Sequence, residues 1–395
     1  MDIKITPCPL QGRMEIPPSK SYSHRGLIAA YLGNGKAVGV GESADTKATM
    51  ECLCAIGDKK SLFANESGST LRFMIPIALA INGEVEISGS ERLMERPLDD
   101  YFKIFDEKGI SYKLENNTLY AKGILTGGDY KIRGDVSSQF ITGLLFALPL
   151  IKEDSRIVIT TKLESKAYVD MTLDVLKKFG IEVEEGDNTY TIKGNQKYKN
   201  ETYIVEGDFS QAAFFLAMGN VNLTGLDNNS IQGDKEIVQV YRRMGMKIED
   251  TQNGYITNGR ALKNIEVDVS QIPDCVPVLA CVMAVSEGEG RIVNAARLRI
   301  KESDRLQAIT EELRNLGASV TEGEDYLIIQ GKKSLTGGVC SSHNDHRIAM
   351  ALATISPYCK GEVIIKGAES VRKSMPDFWE RFRQLGGMAD ELNLG

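Results

Sequence analysis

The chain has 395 residues, 42% hydrophobic and 26% charged, with 54 Asp and Glu against 47 Lys and Arg and a net charge of −7. Its length allows two or three domains with real cores, while the acidic balance excludes a polyanion-binding surface spread over the whole molecule. Seven Cys without regular spacing and three His give no zinc pattern. The longest apolar stretches, 140–151 and 275–285, fall short of the ~20 residues of a membrane helix, and no export signal opens the sequence, so a cytoplasmic protein with reduced thiols is expected.

In chain order, the first polar cluster is Pro17-Pro18-Ser19-Lys20-Ser21-Tyr22-Ser23-His24-Arg25, ahead of an apolar run over 27–32 that stops at Gly33. Proline followed by small hydroxyl residues marks a helix start. Capping accounts for the serines but not for Lys20 and Arg25, because a helix N-terminus already carries partial positive charge. The second cluster, Glu66-Ser67-Gly68-Ser69-Thr70-Leu71-Arg72, leads into the run 73–81. Gly68 at that start would let backbone N–H groups approach a phosphate, although the stretch matches neither a Walker A loop nor a dinucleotide fingerprint. A strand is expected over 84–88, and then Pro97 of Glu95-Arg96-Pro97-Leu98 is placed to begin another helix.

Val136-Ser137-Ser138-Gln139-Phe140 enters an apolar run to Ile151, a strand is expected near 157–161, and Ser165-Lys166-Ala167-Tyr168 opens a helix that closes at Gly180. This order of hydroxyl-rich start, apolar helix, strand, polar turn, amphipathic helix, glycine and strand returns from Gly207, from Val269 and from Ser341. About six units of ~50–70 residues are predicted, each small sheet-and-helix unit burying its apolar face against neighbours. Within the fifth, Lys301, Glu302, Asp304 and Arg305 crowd before Leu306, Ile309, Leu313 and Leu316, whose spacing is helical and ends at Gly317. Lys20, Arg72, Arg96, Lys301, Arg305, Arg347 and Lys373 all fall at such starts or in turns, so a fold that gathers them would attract anions strongly. Asp274, after Pro273, has the position of an ordinary capping acid. Glu302 has no obvious capping role, and each of these carboxylates could exchange protons with a bound anion's partner.

Together, Pro18-Ser19-Lys20-Ser21 with Arg25, Glu95-Arg96-Pro97, Ser137-Ser138-Gln139-Phe140, Ser165-Lys166-Ala167-Tyr168, Ile272-Pro273-Asp274, Lys301-Glu302-Ser303-Asp304-Arg305, Asn344-Asp345-His346-Arg347 and Arg372-Lys373-Ser374 resemble the enolpyruvyl transferases, over essentially the whole chain and in order. The resemblance is to the branch that acts on shikimate 3-phosphate, the branch targeted by glyphosate. It implies an α/β (α+β) chain with a two-lobed, inside-out α/β barrel-like fold of six βαβαββ repeats, three per lobe. The first lobe would be 1–18 plus 207–395, the second 19–206, with the active site in the cleft.

The resemblance also implies transfer of the carboxyvinyl group of phosphoenolpyruvate to the 5-hydroxyl of shikimate 3-phosphate, with no metal or organic cofactor, no nucleic acid or membrane partner, and a monomer. Carried over, Lys20, Ser21, Arg25, Ser137, Ser138, Gln139, Ser165, Tyr168, Asp274 and Lys301 would hold shikimate 3-phosphate. Lys20, Gly68, Arg96, Gln139, Arg305, Arg347 and Lys373 would surround phosphoenolpyruvate. Asp274, Glu302 and Lys20 would be catalytic, Asp274 taking the hydroxyl proton with help from Lys20 and Glu302 exchanging a proton with C3. The loop 66–70 departs from the family's Asn-Ala-Gly-Thr pattern, and Arg297 stands where some members carry an amide.

Three other readings compete. The sister transferase acting on UDP-N-acetylglucosamine typically has Lys-Asn and a reactive loop Cys, whereas here Ser21 follows Lys20 and no Cys lies in a matching loop. A non-catalytic binding protein would not need Lys20, Asp274 and Glu302 together. A repeat-built scaffold would not need cations at so many helix starts.

Overall fold

The computed structural model describes residues 1–58, 61–259 and 262–392. The chain divides into two compact units, Met1–Ser19 with Glu206–Gly395, and Lys20–Val205. Each has its own hydrophobic core.

Among the described residues six small sheets carry the fold, five of four strands and one of two. All five larger sheets have one order. A first strand lies parallel to a second, and an antiparallel pair, a hairpin in four of the sheets, adds one of its strands antiparallel to that second one. In the first unit, Glu266–Asp268 runs parallel to Glu289–Val293, which pairs antiparallel with Leu327–Gln330, the partner of Ser319–Glu322. The sheet built from both termini obeys the same order: Gly338–Ser341 beside Val363–Lys366, then Asp2–Thr6, then Met388–Leu392.

The helices between strands come in two kinds, as the sequence pattern predicts. Phe209–Ala217, Val276–Ala284 and His346–Ile355 are buried at every position, which is why they read as mostly apolar, with polar residues concentrated at the starts of the first and third. Arg305–Asn315 and Lys166–Lys178 bury one stripe and leave the other face polar. The strand Glu84–Ser88 lies where the sequence places it, and the one expected near 157–161 runs over Ser155–Ile159.

The sixth sheet departs from the expected unit. Lys36–Val38 pairs in parallel with Thr202–Ile204 and, among the described residues, with no other strand. In four of the other sheets a hairpin follows the second helix. After Ala44–Ile56 only 57–61 intervene before the strand Leu62–Phe63 of the next sheet, too few for two strands and a turn. Val38 and Ile204 stay 48% and 75% exposed there.

Candidate active site

In the first unit, three helix starts bring carboxylates and cations together. Asp345 caps His346–Ile355 by accepting from the Arg347 backbone N–H at 2.9 Å. Its other bonds reach the Arg305 side chain, from Nε at 2.7 Å and Nη2 at 3.3 Å. Ser303 Oγ adds a bond of 3.1 Å. Arg305, the first residue of Arg305–Asn315, is 1% exposed and also donates to Asp274 at 3.0 Å and Glu302 at 2.8 Å. Arg347 Nη2 donates to the other oxygen of Asp274 at 2.8 Å, and Lys301 Nζ stands 3.6 Å from that carboxylate. Lys373 donates to the Asn344 carbonyl at 2.6 Å. His343 and Asn344 are both left-handed, with φ of 50° and 53°, which turns the chain into the helix behind them.

Asp274 is the second residue of the short helical turn Pro273–Cys275, and its carboxylate pairs with cations. Burial pushes its carboxyl upward, but Arg347, Lys301 and Arg305 outweigh that and hold it well below the usual carboxylate range. Burial, with Arg297 and Arg305 near by, pushes Lys301 down to about 8 despite the opposing pull of Asp274. Asp234, buried behind this cluster, accepts from Ser210 Oγ. Burial and the neighbouring Asp274 charge raise it to about 6. Arg297 is 8% exposed and reaches Lys301 through its charge.

In the second unit, Lys20 begins Lys20–Gly33 and pairs with Asp45 at 2.7 Å. Asp45 lies in the first turn of Ala44–Ile56, where Ser43 and Thr46 form a capping box. Ser67 caps Gly68–Asn82 by accepting from Thr70 N. Arg72, one turn on, donates to Gln139 Oε1 and to the Pro97 carbonyl, both at 2.9 Å, while its guanidinium lies 5.0 Å from the Phe140 ring centre. Gln139 in turn donates to Ser69 Oγ at 3.1 Å and follows Ser137, which caps Ser138–Ala147. A Cβ on Gly68 would lie 2.6 Å from Arg96 Nη1 and 3.2 Å from Arg72 Nη1, so glycine is what lets both guanidiniums close over that turn.

Arg25 is 3% exposed and donates to the Ser21 carbonyl at 2.7 Å, Thr172 at 2.9 Å and the Tyr168 carbonyl at 2.8 Å. Burial pushes it down to about 10. Its visible work is to tie Ser21 to Tyr168. Ser165, left-handed at φ 53°, precedes Lys166–Lys178 and is 1% exposed.

Within each unit the structure therefore clusters the predicted residues: Asp274, Lys301, Glu302, Arg305 and Arg347 in one, with Lys373 on the turn before Asp345, and Gly68, Arg96 and Gln139 around Arg72 in the other. It adds partners that the sequence did not single out, Asp45 for Lys20 and Asp345 for Arg305. Among the described residues no group of three or more His, Cys, Asp or Glu is placed to hold a metal ion, and no helix is long and apolar enough to cross a membrane.

The chain matches the family model of EPSP synthase (3-phosphoshikimate 1-carboxyvinyltransferase) over residues 5–382. A 3-phosphoshikimate 1-carboxyvinyltransferase from Clostridium kluyveri is 48% identical over 422 aligned positions, which span 100% of this chain and 99% of that protein. One from Clostridium beijerinckii is 46% identical over 432 positions, again with 100% and 99% covered. Both alignments are longer than the 395 residues of this chain, so these relatives carry segments that it lacks. The solved structure of EPSP synthase from Acinetobacter baumannii has the same fold, with a TM-score of 0.81 at 24% identity over 99% of this chain and 100% of that one.

Proposed function

The chain belongs to the EPSP synthase family, and from that membership we propose how its two clusters share one reaction. The activity is that of a 3-phosphoshikimate 1-carboxyvinyltransferase, EC 2.5.1.19. The carboxyvinyl group of phosphoenolpyruvate passes to the 5-hydroxyl of shikimate 3-phosphate and phosphate is released, a step of the shikimate pathway toward aromatic amino acids. The observation that carries this reading is the family match over residues 5–382, a span that contains every cation of both clusters.

In our reading, Lys20, Gly68, Arg96 and Gln139 from one unit and Arg305, Arg347 and Lys373 from the other take phosphoenolpyruvate. Ser21, Arg25, Ser137, Ser138, Ser165, Tyr168 and Lys301 take shikimate 3-phosphate, Lys20, Gln139 and Asp274 serving both. Two polyanions can share a site only where cations offset their repulsion, and planar guanidiniums suit carboxylate and phosphate.

The ion pairs of Asp274 explain how it would be switched on. Paired with three cations, it is a poor base. When the anions of phosphoenolpyruvate draw on Arg305 and Arg347, Asp274 loses part of that stabilisation and its proton affinity rises. It then accepts the 5-hydroxyl proton as the oxygen attacks C2, with Lys20 assisting and stabilising charge on the phosphate side. Glu302, bonded to the same Arg305, delivers a proton to C3 and removes one as phosphate leaves.

We further read the architecture as six βαβαββ repeats, three to a unit, one of them shortened by its missing hairpin, in a monomeric cytoplasmic enzyme. The functional test is a choice of acceptor. Purified protein is given phosphoenolpyruvate with shikimate 3-phosphate or with UDP-N-acetylglucosamine, and the product is identified by mass spectrometry. A carboxyvinyl adduct of shikimate 3-phosphate is expected; an adduct of the sugar nucleotide alone would move the protein to the sister activity.

A further inference from the structure

Beneath the Lys20–Asp45 pair runs a chain of buried hydrogen bonds. His24 Nδ1 lies 2.7 Å from Thr49 Oγ1, and Thr49 Oγ1 lies 2.7 Å from Thr70 Oγ1. Thr70 Oγ1 reaches Ser67 Oγ at 2.8 Å and the Asp45 carbonyl at 3.4 Å. His24 is 1% exposed, and Thr49, Ser67 and Thr70 are fully enclosed.

The spacing gives this chain its meaning. Lys20 and His24 are four apart on one helix, Asp45 and Thr49 four apart on the next, so each pair stacks on one helix face. Lys20–Asp45 and His24–Thr49 are therefore successive rungs between the same two helices, each joining residues 25 apart in sequence. The Thr49–Thr70 bond carries the lower rung to the third helix, two residues beyond Gly68 and two before Arg72.

The direction of the chain follows from its ends. The Asp45 carbonyl can only accept, so Thr70 donates toward it or Ser67, Thr49 donates to Thr70, and His24 must supply Nδ1–H. That tautomer leaves Nε2 without a hydrogen, which fits its having no hydrogen-bond partner; the reverse direction would bury an N–H with no acceptor. Burial first, then Lys20 and Arg25, holds His24 well below its ordinary range and so neutral. Apolar side chains of like size would fill this interior without the cost of burying hydroxyls, so the bonds are there for placement.

We propose that His24, Thr49 and Thr70 are positioning residues for the phosphoenolpyruvate end of the site, setting the Lys20–Asp45 pair against the Gly68 turn. The proposal rests on the functional reading above and adds to it residues that touch neither substrate. Small displacements of oriented groups cost turnover heavily, and here the displaced groups are Lys20 and the Gly68–Arg72 turn.

Thr49→Val keeps the shape and removes the middle hydroxyl. It is expected to raise the KM for phosphoenolpyruvate about tenfold, while shikimate 3-phosphate binding, measured calorimetrically without phosphoenolpyruvate, weakens by no more than about threefold, because of the displaced groups only Lys20 also serves that substrate. His24→Ala should do the same. His24→Asn, whose amide offers an N–H where Nδ1–H stood, should restore the wild-type value, and His24→Gln, whose donor sits one bond farther out, should not. Wild-type phosphate release is the reference: its absence would sink the functional reading itself. With active wild type, the proposal is overturned if both variants keep the wild-type KM, if shikimate 3-phosphate binding weakens as much as that of phosphoenolpyruvate, or if His24→Asn fails while its circular dichroism and melting match wild type. Should Thr49→Val not fold, the His24 series decides by the same criteria.

Discussion

In the unit made of 1–19 and 206–395, the guanidiniums of Arg305 and Arg347 end on carboxylates: Asp274, Glu302 and Asp345. In the unit made of 20–205, those of Arg25 and Arg72 end on carbonyls, hydroxyls and an amide. The first arrangement is nearly self-neutral, and an arriving anion must compete for its cations. The competition is useful, because each cation drawn away returns basicity to a carboxylate. In the second, the hydrogen bonds just named go to neutral groups, so an arriving anion need not draw a guanidinium off a carboxylate to break them. Lys20 differs from Arg25 in this unit, being held by the Asp45 carboxylate at 2.7 Å.

Removing a reacting group should have the largest effect. Glu302→Gln preserves a hydrogen-bond acceptor for Arg305 but cannot exchange the C3 proton, so turnover should fall about 10²–10⁴-fold with both substrates still bound. Unchanged turnover would take Glu302 out of proton transfer. Next is Asp345→Ala, which strips Arg305 of its buried partner; Arg305 and Asp345 are 1% and 0% exposed. Breaking such a pair from one side costs about 3–5 kcal/mol, and a denaturant midpoint near wild type would show that the carboxylate-held set is less coupled than the geometry implies.

On the neutrally held side, Gly68→Ala should force Arg96 and Arg72 apart, raising the KM for phosphoenolpyruvate about tenfold, roughly 1.4 kcal/mol, with little change in melting temperature. An unchanged KM would mean those guanidiniums can shift freely. The smallest effect is a pH slope. Because the folded-state value of Asp234 is raised to about 6, its contribution to stability is present below the ordinary carboxylate range and is lost as pH rises through about 6. Asp234→Asn should flatten that part of the stability–pH curve; identical slopes would remove Asp234 from the electrostatics of Asp274.

Much of this was legible from cations standing at helix starts, where the backbone alone disfavours them. That anomaly picked out Lys20, Arg72, Arg305 and Arg347 without knowledge of their partners. Asp45 and Asp345 escaped for the opposite reason: an acid in a first turn or at a cap is unremarkable, and their cations lie 25 and 40 residues away. The role of Arg25 was obscured because nothing local says that a guanidinium will turn inward toward Tyr168. The alternation of apolar and amphipathic helices was readable, but that Ala44–Ile56 is not followed by a hairpin shows only when the five residues between Ile56 and Leu62 are counted.

The claim at the centre is that cations hold Asp274 ionised until substrate anions loosen them. Carbon-13 labelling of Asp carboxyls, with Asp274→Asn used for assignment, would follow its titration by NMR in the free protein and with both substrates bound. The Asp274 carboxyl is expected to ionise well below the usual carboxylate range in the free protein and to move upward when phosphoenolpyruvate and shikimate 3-phosphate occupy the site. The same titration in both states would contradict it.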